Sequence, residues 1–392
     1  MSSSLRTVVN AAMSPFVQGG PWSAASLIDR AERAAGASVW GDGPFRAGLE
    51  ALLASIGELE DLTPLGSVVF GTMIEQALVN RLAFLGAEEP SGRLIPPIII
   101  TGLPRSGTTA LHRLLALDRD HHAPPLWELL DPYADSPVAL RRWRTRLQIA
   151  FKTRLLPELD DKHYTRANTP EECTLLLANS LASPLFWDLA PMDGYLRWYQ
   201  STPMEPVYDE YRRQLEVLQR RHPGRRLVLK APAHLGNLAA LHAVLPEAVL
   251  VQIHRDPTRC FFSHCSLRRT LTSFVLSRAD PGVVGDHVRR VFEHDLDANL
   301  AFHDRAPGVV ANVSQRRLRS APIETLRDVY RAAGLEPIST TVRRWKADVD
   351  RRRRSRARHH RVSRDGWGVS PDRADAMFGD YRRRFDDQIA EA

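Results

Sequence analysis

The stretch "PIIITGLPRSGTTALHRLLAL", residues 97–117, constrains this chain more than any other. Its first five residues are a β-branched run without polar alternation, the pattern of a strand buried on both faces. A turn with two glycines follows, and then apolar residues at 110, 111, 114, 115 and 117, which is helical spacing. Strand, glycine turn and helix in direct succession start a βαβ unit, and that commits the chain to a parallel sheet. Three further runs can extend it: "RLVLK" (226–230), "AVLVQIH" (248–254) and "GVVANV" (308–313), with "AHLGNLAALHAVL" a helix between the first two. The expected fold class is α/β: a P-loop-like three-layer fold, a central parallel sheet flanked by helices, with extra N-terminal and inserted helices.

Residues 1–90 read as helices packed on the main domain, which spans 91–392 and carries a largely helical insertion at about 137–222. With 43% hydrophobic and 25% charged residues the chain has the makings of a packed core, so disorder is not expected. The formal charge of +7 comes from arginine, since only Lys152, Lys162, Lys230 and Lys346 are lysines. This modest excess points to anionic ligands. Cys173, Cys260 and Cys265 form no paired framework and lack the company of a zinc site, which indicates a reducing compartment. No signal-peptide pattern opens the chain and no apolar run approaches bilayer length, so the expectation is a cytoplasmic protein without a membrane span.

The turn reads G-x-x-x-x-G from Gly102 to Gly107, followed by Thr108 and Thr109. Backbone N–H groups and the start of the helix attract an anion there. A nucleoside triphosphatase would have lysine at position 108 to reach the outer phosphates. This loop has threonine instead, and Arg105 within the turn. A second constellation, "VLVQIHRDPTRCFFSH", puts Arg255 at a strand end and Ser263 about two turns into the next helix, able to clasp a second phosphate.

Together these segments resemble the bacterial type of 3′-phosphoadenosine 5′-phosphosulfate (PAPS)-dependent sulfotransferase. The resemblance runs from about residue 95 to the end and includes "WEL" (127–129), "HYTRANTPEEC" (163–173), "LKAPAHL" (229–235), "HRVSRDGWGV" (360–369) and "YRRRF" (381–385). It implies that Arg105, Ser106, Gly107, Thr108 and Thr109 hold the 5′-phosphosulfate, and that Arg255 and Ser263 hold the 3′-phosphate. It also implies that Arg361 or a neighbour closes over that phosphate. Val362 departs from the family's usual aromatic, and the 308–313 strand lacks the tyrosine that usually follows it.

Sulfuryl transfer needs a deprotonated acceptor and charge stabilisation at the leaving phosphate, and it requires no metal; no ligand cluster is apparent in the sequence. Glu128, in "PPLWELLDP", is the favoured general base, with His234 as its rival and His163 a third candidate. Lys230, ending a strand expected beside that of the loop, is the transition-state stabiliser, aided by Arg105. The implied partner is a small-molecule or lipid-like acceptor rather than nucleic acid, and a homo-oligomer is left open. Two other readings stand beside this one. A P-loop kinase or NTPase would need the missing lysine and a metal-binding aspartate. A polyanion or nucleic-acid binder would use the run "RRRRSRARHHR".

Overall fold

The computed structural model describes residues 2–13, 22–87, 93–133, 136–354 and 366–390. Five parallel strands form one sheet in the order β2-β3-β1-β4-β5: β1 (Ile98–Thr101), β2 (His121–His122), β3 (Arg226–Lys230), β4 (Val249–His254) and β5 (Val310–Ser314). Four are the runs expected from sequence. The fifth, β2, is a two-residue edge strand that no hydrophobic run announces.

Alternation along the strands divides the core into the layers of the fold. Ile99, Leu227, Leu229, Leu250 and Val310 point to one side of the sheet, into a large apolar cluster. Ile98, Ile100, Val228, Val251, Ile253 and Val313 point to the other, where they meet Leu111, Leu114 and Leu115 of the helix that follows the glycine turn. Both faces are therefore covered, which is why β1 contains nothing but buried residues. The first cluster also takes in Leu27, Phe45, Leu49 and Phe70 from the N-terminal helices and Tyr195, Tyr208 and Tyr211 from the insertion.

The Pro64–Gly86 helix is long and apolar enough, by length and composition alone, to cross a bilayer. Glu75, Gln76, Asn80 and Arg81 interrupt it, so the sequence shows a helix there without a continuous apolar run of bilayer length. Its environment is that of a core helix. Arg81 is fully buried, donates through Nε and Nη2 to the Trp40 carbonyl (3.0 and 2.9 Å) and through Nη1 to Glu210 (2.7 Å). This ion pair ties the N-terminal helices to the Glu205–Arg221 helix of the insertion.

Breaking such a pair from one side leaves a buried charge unmatched. Arg81→Met should lower the unfolding free energy by roughly 3–5 kcal/mol. Arg81→Met combined with Glu210→Leu should recover much of that loss. Urea denaturation of the two variants checks both values.

Candidate active site

Parallel strands end at one edge, and the register fixes what gathers there. Ile100 of β1 is level with Lys230 of β3, and Thr101 with Gln252 of β4. The glycine turn after β1, Lys230 at the end of β3 and Arg255 just past β4 are thereby neighbours at the carboxyl edge. Gly102 has φ 138°, and a Cβ there would lie 2.5 Å from the Ile253 carbonyl oxygen, so only glycine fits. Gly107, at φ 110°, is the N-cap of the Thr108–Leu115 helix. Between them Ser106 is fully buried and its hydroxyl has no protein partner. A turn of this shape, with a helix start behind it, is built to receive an anion.

Arg105 has a positive φ of 71°, rare for a residue with a side chain. It is held from three directions. Its Nε donates to Ser263 Oγ (3.2 Å), its Nη1 donates to the Lys162 carbonyl (2.7 Å), and its own carbonyl accepts from Arg255 Nη1 (2.8 Å). Burial and then the Arg255 charge lower its pKa from the ordinary value. The two groups that the sequence suggests as separate anion holders thus meet at one residue.

The turn opens into a cleft of about 600 Å³. Arg105, Gly107, Thr108 and Thr109 form one wall, Glu171, Glu172 and His163 a second, while Leu175, Leu185, Trp187, Leu267 and Leu271 supply an apolar one. Lys230 is 1% exposed and donates to Glu172 Oε1 at 2.6 Å. Its carbonyl accepts from the Cys173 N–H (3.0 Å), so β3 fixes the 171–173 segment by backbone and side chain together. Glu171 lies beside His163 (3.5 Å). Burial pushes its carboxyl up, but His163 and Lys230 outweigh this and hold it below the usual range. Glu172 joins the cleft without having been a sequence candidate. It lay inside "HYTRANTPEEC", where neither periodicity nor spacing distinguished it.

Two expected bases are elsewhere. Glu128 is buried outside this cleft, with Oε2 accepting from His122 Nε2 and Oε1 from His222 Nε2, both at 2.7 Å. Closeness in sequence to the glycine turn suggested that it faces the site, but the short Leu126–Leu130 helix turns its carboxylate toward β2 and the end of the insertion. His234 is fully buried, with Nδ1 2.9 Å from the Tyr208 hydroxyl and Nε2 3.3 Å from Cys173 Sγ; burial drives its pKa to about 3. It packs in the core and cannot meet an acceptor. From the arginine run, Arg352 lines the cleft, because Trp345 Nε1 donates to the Leu114 carbonyl (3.0 Å) and seats the Ser339–Arg354 helix on the loop helix. Arg361 and Val362 lie outside the described residues.

His122, Glu128 and His222 also present donor atoms within 4.8 Å of one another, a cluster that the sequence did not disclose. Their rings stack 3.4 Å apart at 18°. Nearly parallel imidazole planes send their lone pairs side by side instead of converging on one ion, so the arrangement suits two N–H donors on one carboxylate better than a metal.

A model of the Sulfotransferase family matches residues 96–340. The omega-hydroxy-beta-dihydromenaquinone-9 sulfotransferases Stf3 of Mycobacterium tuberculosis and Mycobacterium bovis are each 30% identical over 183 residues, 45% of this chain and 46% of theirs. The match therefore spans about half the length of these relatives. The crystal structure of sulfotransferase STF1 from Mycobacterium tuberculosis superposes with a TM-score of 0.77 at 26% identity, over 92% of this chain and 99% of that one. Sulfotransferase STF9 from Mycobacterium avium shares the fold, with a TM-score of 0.80 at 22% identity over 93% and 97%.

Burial would raise the Glu128 carboxyl, but the two imidazole N–H groups overcome it and hold the pKa at about 2, against an ordinary 4.5. A depressed carboxyl stabilises the fold above its unfolded value and loses that contribution as pH falls through the folded one. Glu128→Gln should therefore cost on the order of 3 kcal/mol at neutral pH. The deficit from the carboxyl should narrow as pH falls below about 4.5. Urea titrations across that range measure it.

Proposed function

The chain belongs to the sulfotransferase family, and we propose that it transfers a sulfuryl group from PAPS to a hydroxyl of an apolar, lipid-like acceptor. The observation that carries this reading is a single cleft with an anion cradle, a carboxylate paired to the buried Lys230 and an apolar wall. The cradle suits the donor. Ser106 offers an unpartnered buried hydroxyl, glycine is obligatory at 102, and threonine at 108 replaces the lysine that a γ-phosphate would need. Arg255 and Ser263, on either side of Arg105, suit the 3′-phosphate. A relative named for a hydroxylated dihydromenaquinone supports an apolar alcohol as acceptor.

When bound, PAPS supplies the sulfuryl group: the acceptor oxygen bonds sulfur while the bridging S–O bond breaks, leaving 3′-phosphoadenosine 5′-phosphate. The hydroxyl proton must go to a base within the cleft. Glu172 is proposed for that role, because it lines the cleft and Lys230 orients it. An arriving anion competes with Glu172 for the Lys230 ammonium. Turning to that anion, Lys230 stabilises the charge on the departing phosphate and releases the carboxylate to accept the proton. Glu171, engaged with His163 and nearly buried, holds the wall behind it. Leu175, Leu185, Leu267 and Leu271 exclude water from the acceptor side.

Calorimetric titration should give tight binding of 3′-phosphoadenosine 5′-phosphate and little of ADP or magnesium-ATP; preference for ATP would overturn the reading. Ser263→Ala should weaken the bisphosphate by about tenfold. Glu172→Gln should lower kcat by roughly 10²–10⁴-fold with bisphosphate affinity nearly unchanged, whereas Glu128→Gln should leave kcat intact. Equal losses in the two glutamate variants would remove Glu172 from the role.

A further inference from the structure

Among the described residues eleven large hydrophobic side chains are exposed, and five of them lie on one helix, Val138–Leu155. Four of the five share a face. Leu140, Trp143, Leu147 and Phe151 recur at helical spacing, and the last three are about half exposed at 55, 50 and 48%. Another side of the helix, through Arg141 and Thr145, is buried against the protein, and Leu155 at its end is buried too. The stripe is the apolar face of this helix, and it is turned outward while the polar side chains of Arg141 and Thr145 are turned in.

Charge decides what that face fits. The helix carries Arg141, Arg142, Arg144, Arg146, Lys152 and Arg154 and contains no acidic residue. Arg144, Arg146 and Arg154 are exposed and form no ion pair among the described residues. An apolar centre of Trp, Leu and Phe with unpaired guanidinium groups at its margins is the pattern of a helix lying in the interface of a bilayer containing anionic lipid. A second copy of the chain fits poorly, because a two-fold contact would set this cationic face against itself. Nucleic acid fits poorly too, since the stripe would bring its apolar side chains to a phosphate backbone.

We propose that the Val138–Leu155 helix docks the protein on the surface of anionic membranes. The site would gain from its position. Lys152, on the inner side of the same helix, lines the cleft, as does Leu159 just beyond its end. Docking therefore brings the cleft to within a helix diameter of the bilayer, where an acceptor dissolved in lipid can be reached without crossing water. The inference concerns the helix alone and stands whether or not the acceptor is a lipid.

Sedimentation of the full chain with vesicles tests it. Vesicles of phosphatidylcholine with phosphatidylglycerol should bind the protein, phosphatidylcholine alone should bind it much less, and added salt should release it. Trp143→Ser with Leu147→Ser should lower the partition coefficient by about tenfold or more. Arg144→Glu, Arg146→Glu and Arg154→Glu together should abolish the preference for phosphatidylglycerol. These side chains are exposed, so the melting temperature should be unchanged, and bisphosphate binding reports separately on the cleft. Failure to bind anionic vesicles, or unchanged binding by the serine double variant, would overturn the proposal. A solution dimer that the serine substitutions dissociate would overturn it as well, by giving the face to a second copy.

Discussion

The wall of the cleft that carries Glu172 depends on a lysine that has been taken out of water. Lys230 ends β3 with almost no exposure, and a buried ammonium is tolerable only when a carboxylate or another anion is at hand. Glu172 meets that need, and the Cys173 amide bound to the Lys230 carbonyl holds Glu172 in reach. The sheet therefore dictates the path of a segment nearly sixty residues earlier in the chain. The same demand makes the site receptive, because an anion placed near the glycine turn can take over the charge balance that Glu172 maintains by direct contact.

The fold was largely legible because it rests on local patterns. Buried parallel strands must be apolar throughout, and four such runs separated by helices have few arrangements. The glycine turn was legible because backbone geometry at 102 and 107 requires a residue without a side chain. β2 was not, since His121 and His122 join the sheet through backbone pairing with Arg226 and Leu227 and through buried contacts made at a distance. Away from the glycine turn, the candidate site was legible at strand ends and illegible on loops. Lys230 and Arg255 could be placed from strand positions alone, whereas Glu128 and Glu172 lie in segments whose direction depends on tertiary packing. Glu128 looked closer to the turn in sequence, yet His122 and His222 claim both of its oxygens.

The arginine excess separates in the structure into distinct uses. Arg81 and Arg268 are buried and matched by Glu210 and Asp188. Arg105 and Arg255 shape the anion turn, and Arg352 reaches the cleft from the arginine run. The unpaired guanidinium groups of the 138–155 helix belong to neither class, and their company of exposed aromatic and aliphatic side chains gives them a different physical meaning from a solvated charge run.

Arg105 carries a consequence of its own. Its carbonyl is tied to Arg255 and its side chain to Ser263, while its backbone forms the floor of the glycine turn. If one ligand spans these groups, as proposed for the donor, its two ends are not sensed independently: a group that draws Ser263 away from Arg105 releases Nε and leaves the guanidinium on the Lys162 carbonyl alone, and a group that reorders the turn moves the acceptor of the Arg255 bond. Affinity at one end is then thermodynamically linked to occupancy at the other, and the linkage is reciprocal. For the proposed donor, half-molecules should then bind with free energies that do not sum to that of the whole.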